Sequence, residues 1–301
     1  MENVVDEIKD NVIEQFDKMA SEFNCEYDDK LEEISGTRLK EEFLKKVEKL
    51  NELYENDEID PYFDLNLDID DDNEPNDDRV KIAFFAFSGN PPHWGHIMAA
   101  FDALVDYKLD KVIFVSNGDD PRKPNLLSVD KRYSMIEDVV DLFYPFFEFS
   151  EIAREPYFDE DIPMIGEYTL FRFFKINPDS EIVAYYFAGS DHLNRYVLRD
   201  GKKQLDTVGH LEKCREDKLF GYDKDVHEVI GMFNARDEEE FEKNLNEVDN
   251  PEIDIVRLDP TISFSSTQIR NALSGEGDKY ALMLLPYINY VTIKENGWYH
   301  N

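Results

Sequence analysis

Apolar residues recur at helical spacing twice near the start of the chain, at Val5, Ile8, Val12, Met19 and Phe23 and again at Leu39, Phe43, Val47, Leu50 and Tyr54. Ser35-Gly36-Thr37 separates the two stripes, and Thr37 is placed to cap the second helix ahead of Glu41. Residues 1–56 therefore read as a helical hairpin, within an N-terminal extension over 1–63. The stretch DLNLDIDDDNEPNDD at 64–78 keeps neither a helical nor a strand period, and 64–79 reads as an acidic linker.

From residue 80 the pattern changes to short apolar runs alternating with amphipathic ones. KIAFFAF (81–87) predicts a buried strand, followed by a polar turn and a helix from Trp94 to Tyr107. KVIFVS (111–116) predicts a second strand, and a Gly/Asp/Pro loop leads to a helix over Lys131–Leu142. FFEFSEI supplies a third strand, Thr169–Lys175 a helix, and EIVAYYFAG (181–189) a fourth strand. Beyond a stretch of mixed character come VIGMFNA (229–235), the helix DEEEFEKNLNEV, the strand IDIVRLD (253–259) and the helix SSTQIRNALSG ending at Gly275. Such alternation predicts an α/β domain over 80–301. Its form is a doubly wound, Rossmann-like parallel sheet with helices on both faces, preceded by the helical extension, and its ligand crevice lies at the carboxyl ends of the strands. Sixteen Tyr and 22 Phe supply ample core material.

Charge narrows the function. The chain has 68 acidic and 33 basic residues, a net of −35, with −19 of it in residues 1–80. A field of that sign repels DNA, RNA and anionic lipid, so neither a nucleic-acid nor a membrane partner is expected. It equally repels a nucleotide, so any nucleotide site has to be a local island of basic groups, backbone N–H groups and metal. Cys25 and Cys214 provide neither a disulfide framework nor a Cys-rich metal site. No apolar run approaches a membrane span and the N-terminus is acidic and polar, which makes a cytoplasmic protein the expectation.

The sharpest local signal is His93-Trp94-Gly95-His96, directly after the first strand and the turn Ser88-Gly89-Asn90-Pro91-Pro92. Two imidazoles three residues apart in a first helical turn share a face, and Gly95 lets a ligand approach the backbone. The helix N-terminus adds N–H groups and a positive dipole end, so the corner suits phosphate. The plain reading of such a pair is a set of capping or surface histidines. Near the other end, Ser265-Ser266-Thr267-Gln268-Ile269-Arg270 sets hydroxyls at a helix start with an arginine one turn in, a second phosphate clamp. Its plain reading is an ordinary N-cap with an exposed arginine.

Together NPPHWGH and SSTQIR resemble the H-x-G-H and (S/T)-x-x-(I/V)-R signatures of the nucleotidylyltransferase superfamily, and particularly of nicotinate/nicotinamide mononucleotide adenylyltransferases. The resemblance covers roughly 81–299. It implies an enzyme of NAD biosynthesis that moves AMP from ATP to a pyridine mononucleotide and releases pyrophosphate. By it His93, His96, Lys123 and Arg270 are the catalytic set. Ser88, Gly89, Asn90, Gly95, Gly189, Asp191, Ser266 and Thr267 would hold ATP and its phosphates, Asp191 through a ribose hydroxyl. Tyr168, Thr169 and Arg132 would serve the mononucleotide side, Arg132 by supporting the lysine loop. Mg²⁺ would arrive with ATP rather than on a protein metal site. One departure stands out: Phe87-Ser88-Gly89-Asn90 exchanges the glycine and aromatic positions of the family's Gly-Ser/Thr-Phe-Asp/Asn turn.

Three alternatives stand beside this. HWGH also resembles the H-I-G-H of class I aminoacyl-tRNA synthetases, but no Lys-Met-Ser-Lys-Ser segment is present. A different phosphorylated acceptor would keep the chemistry. A silent nucleotide-binding regulator is the non-enzymatic option. Every signature lies beyond Lys81, so residues 1–78 are expected to be dispensable for chemistry. Their apolar stripes need a cover, on the catalytic domain, a second copy or a partner protein.

Overall fold

The computed structural model describes residues 3–76, 78–119, 125–154, 165–193, 205–235, 237–248, 251–262 and 264–299. Among them six strands form one parallel sheet in the order β3-β2-β1-β4-β5-β6. The strands are β1 (Val80–Phe87), β2 (Lys111–Ser116), β3 (Phe147–Ser150), β4 (Ile182–Gly189), β5 (His227–Asn234) and β6 (Ile255–Leu258). This is the expected doubly wound sheet, and its order reverses between β1 and β4, where the crevice of such a sheet opens.

Alternation along β1 divides the core in two. Ile82 and Phe84 join one apolar layer with α6 (Ile165–Ile176), α7 (Thr207–Glu216) and α8 (Glu238–Leu245). Ala83 and Phe85 join the other, with α4 (Trp94–Asp106) and α5 (Val129–Val140). The helix α7 fell in the stretch without an assigned element. Only Thr207, Val208 and Leu211 are buried on it and Gly209 interrupts it, so its apolar period is faint.

The extension is a three-helix unit rather than a hairpin. It consists of α1 (Val4–Phe23), α2 (Tyr27–Ser35) and α3 (Leu39–Glu55). The short α2 buries only Tyr27 and Leu31, too few to mark a period. Asn24 at φ 51° and Gly36 at φ 72° end the first two helices in left-handed conformation. The apolar stripes are consumed within the chain: Val5, Ile8, Val12, Phe16, Phe43 and Leu50 belong to the same buried layer as α4 and α5. The acidic stretch after them lies against the opposite layer. Leu65 is buried there, and the Asn66 backbone N–H donates to Asn177 Oδ1 at 2.8 Å while Asn177 Nδ2 returns a bond to Asn66 O at 2.9 Å. Among the described residues no helix is long and apolar enough to cross a membrane.

α9 (Ser266–Leu273) and α10 (Tyr287–Asn296) close the chain. Both return to the turn after β1, where α9 reaches it through Arg270 and α10 through Asn289.

Candidate active site

At the switch point between β1 and β4 lies a cavity of about 440 Å³. Phe85 and Phe187 stack at 4.3 Å within its lining. Its walls come from three strand ends: Phe85 of β1 with the start of α4, Gly189–Asp191 after β4, and Asn234 after β5. Ile262 and Phe264, on the way from β6 to α9, also line it.

His93 is the N-cap of α4 and is only 3 % exposed. Its Nδ1 accepts the Gly95 backbone N–H at 3.1 Å, so the neutral ring carries its proton on Nε2. That nitrogen meets Ser266 Oγ at 3.0 Å. His96 Nδ1 accepts the His93 backbone N–H at 3.3 Å, which assigns its proton to Nε2 as well. The two rings stack with centroids 3.7 Å apart. Burial pushes both imidazoles down, His93 well below its ordinary value and His96 to about 3, and Arg270 and His96 depress His93 further. Both rings are neutral N–H donors at physiological pH. The pair caps α4 through Nδ1 of each ring, which turns Nε2 of His93 toward Ser266.

Gly95 is required by this arrangement. A Cβ there would stand 2.9 Å from the His93 ring and 3.5 Å from Phe264 Cβ. A Cβ at Gly189 would meet Asp191 Oδ1 at 2.5 Å, so a side chain there would turn the exposed carboxylate aside. The exchanged aromatic of the turn also has a place: Phe87 packs edge-on against His96 at 5.0 Å. Gly89 sits at φ 56° beneath Ile136, a conformation and a contact that favour glycine.

Arg270 reaches from α9 to the turn, donating from Nη1 to Asn90 O at 2.7 Å and from Nη2 to Thr267 Oγ1 at 2.9 Å. Asn90 Oδ1 in turn accepts the Tyr299 hydroxyl at 2.7 Å and its Nδ2 donates to Asn125 O. Ser265 caps α9, with its Oγ accepting from Thr267 N and Gln268 Oε1 accepting from Ser265 N. His93, Gly95, His96, Gly189 and Asp191 therefore line one cavity, while Ser266 touches His93 and Arg270 ties Asn90 to Thr267 beside it.

Arg132, Tyr168 and Thr169 are not in the lining of this cavity, although Arg132 does support the loop after β2 as expected. Arg132 is fully buried, and all five of its N–H groups are spent on Leu127 O, Ser88 O, Ser116 Oγ, Asn117 O and Gly118 O. No donor remains for a mononucleotide, so Arg132 is the clamp of the loops after β1 and β2. Tyr168 and Thr169 stand on α6, buried, with the Tyr168 ring edge-on to Phe220 at 4.7 Å, and neither is among the residues lining the 440 Å³ cavity. Lys123 lies outside the described residues. In the other direction, Asn234 and Glu240 line the cavity without having been singled out. Asn234 had a signal, being at the carboxyl end of a strand next to the switch point. Among the described residues no group of three or more His, Cys, Asp or Glu side chains could hold a metal ion.

Residues 88–272, more than half of the chain, match the cytidylyltransferase-like family. The chain belongs to that family. With it the chain is a nucleotidyltransferase. It is 29 % identical over 226 residues to a probable nicotinate-nucleotide adenylyltransferase of Clostridium tetani, covering 73 % of this chain and 98 % of the relative. A protein of the same description from Desulfitobacterium hafniense is 29 % identical over 226 residues, covering 73 % and 95 %. Among solved structures it is similar to Plasmodium falciparum nicotinic acid mononucleotide adenylyltransferase complexed with NaAD, at 14 % identity and a TM-score of 0.45, covering 73 % of this chain and 98 % of that one. The family match begins at Ser88, so the three-helix extension stands outside it.

Proposed function

We propose that this nucleotidyltransferase moves AMP from ATP to nicotinate mononucleotide, forming the dinucleotide and pyrophosphate. The observation that carries the reading is the facing pair of helix N-termini, α4 and α9, joined by the contact of His93 Nε2 with Ser266 Oγ. The names of the curated relatives support the acceptor.

In this reading an oxygen of the acceptor's 5′-phosphate attacks the α-phosphorus, the bond from that phosphorus to the bridging oxygen breaks, and pyrophosphate leaves. Neutral His96 and His93 donate Nε2–H to α-phosphate oxygens as charge builds, His93 exchanging Ser266 for phosphate. Neutral donors suit this role because they need no proton transfer to act. Arg270 has three N–H groups beyond those in its two bonds, and with Ser266, Thr267 and Lys123 it takes the departing pyrophosphate. N–H groups of the turn Ser88-Gly89-Asn90 and the close approach allowed by Gly95 complete the phosphate cradle. Asp191, beside Gly189, accepts from the ribose hydroxyls. Mg²⁺ enters as MgATP, part of the substrate, and offsets repulsion from a chain of net charge −35.

The test is turnover with MgATP and, separately, nicotinate mononucleotide, nicotinamide mononucleotide and phosphopantetheine. Dinucleotide and pyrophosphate with nicotinate mononucleotide are expected. Turnover only with another acceptor removes the acceptor assignment and keeps the chemistry. ATP binding without turnover on any acceptor makes the protein a nucleotide-binding regulator.

A further inference from the structure

The signature His93-Trp94-Gly95-His96 sends its histidines into the crevice and its tryptophan the other way. Trp94 is 1 % exposed, and its ring lies against Phe16 of α1 with centroids 4.6 Å apart and against Phe43 of α3 at 6.0 Å. The residue between the two imidazoles is therefore seated on the extension. A second link runs to the other wall. Lys46 of α3 pairs at 2.9 Å with the fully buried Asp102 of α4, and Asp102 accepts from both the backbone N–H and the hydroxyl of Thr261, five residues before α9. A third passes through α10: Gln15 Oε1 of α1 accepts the Ile288 N–H at 2.9 Å, and Asn289 Nδ2 donates to Pro92 O at 3.5 Å, just ahead of His93.

We infer that the three-helix extension is a positioning element of the active crevice, with Trp94 as its positioning residue, fixing α4 against α9 so that His93 keeps its register with Ser266 and His96 its place stacked on His93. The physical reason is rigidity. A helix N-terminus after a polar turn is held by few contacts of its own, and catalysis by charge stabilisation loses rate steeply when a donor moves by a fraction of an ångström. Close-packed rings transmit their position to a neighbour because they have no void to relax into. This reverses the expectation that residues 1–78 are dispensable for chemistry, and it rests on the proposed roles of His93 and His96.

The experiment uses the full chain with Phe16→Ala, the milder Phe16→Leu, and Trp94→Phe as the conservative variant. Each is measured at a temperature where its circular dichroism matches the parent. Expected are a fall in kcat of about tenfold or more in Phe16→Ala, an intermediate loss in Phe16→Leu, an acceptor KM within about twofold, and near-parental turnover in Trp94→Phe. Imidazole ¹⁵N shifts of His93 and His96 should move in Phe16→Ala, a readout that needs no activity. Unchanged kcat and unchanged imidazole shifts alongside a lower Tm would make the extension a brace only and overturn the inference. Parental protein that binds ATP but adenylylates no acceptor would instead overturn the functional reading, while the imidazole shifts would still decide the positioning role.

Discussion

His93 Nε2 and Ser266 Oγ lie 3.0 Å apart across the crevice, although 173 positions separate them in the chain. The contact closes a short circuit: His93 caps α4, Ser266 opens α9, and Arg270 of α9 returns to Asn90 on the turn leading to His93. The N-termini of α4 and α9, far apart in the sequence, thus meet directly.

Gly95→Ala tests how tightly this site is built. The new methyl would press on the His93 ring at 2.9 Å and push it out of the place where Nδ1 caps α4 and Nε2 meets Ser266. Overpacking against a buried ring costs about 1–3 kcal/mol and the better helix propensity of alanine offsets part of it, so Tm should fall by only a few degrees. Turnover should fall by about 100-fold, as for a displaced group in a preorganised site. Steady-state kinetics beside a thermal melt measures both; parental kcat would mean that His93 has no required position.

Arg132→Lys separates loop support from ligand contact. Lysine has three donors for the five acceptors that Arg132 satisfies, so buried oxygens lose partners at about 1–3 kcal/mol each. A loss of about 3 kcal/mol in unfolding free energy is expected from denaturant titration. A raised acceptor KM with unaltered stability would instead return Arg132 to the ligand side.

Glu167, buried on α6 and accepting from Thr207 Oγ1 at 2.7 Å, predicts a pH dependence of stability. Burial raises its carboxyl from 4.5 to about 7, against the smaller lowering effect of Thr207. The folded state keeps this proton up to about pH 7 and the unfolded state releases it near 4.5, so folding holds more protons across that window. The contribution is therefore favourable at low pH and lost as pH rises from 4.5 to 7, leaving a penalty on the order of 3 kcal/mol above it. Glu167→Gln keeps an acceptor for Thr207 without the charge. It should be more stable than the parent at pH 8, with the gap closing by pH 5; an equal gap at both would show that the carboxyl titrates elsewhere.

How much of this was legible in the chain depends on distance along it. His93, His96, Ser266 and Arg270 could be named because capping chemistry and glycine placement are local, and short-range pattern also yielded all six strands. Arg132 could be named as a loop support only through the resemblance, because an arginine on an amphipathic helix looks the same whether it faces water or five carbonyl and hydroxyl oxygens. Trp94 was hidden for a related reason. Its partner Phe16 lies 78 residues earlier, and no periodicity within either segment points to the other. Tyr168 shows the opposite hazard: a matching motif names a residue, while its ring packs on Phe220.

On the proposed mechanism, neutral imidazoles at the head of α4 stabilise charge on a transferring adenylyl group. His96→Ala removes one of them alone, since His96 Nε2 is the donor not already bonded to Ser266. Pyrophosphate release from MgATP with nicotinate mononucleotide should fall by about 10²–10³-fold while the melt stays within a few degrees of the parent. A variant that releases pyrophosphate at the parental rate would contradict the account.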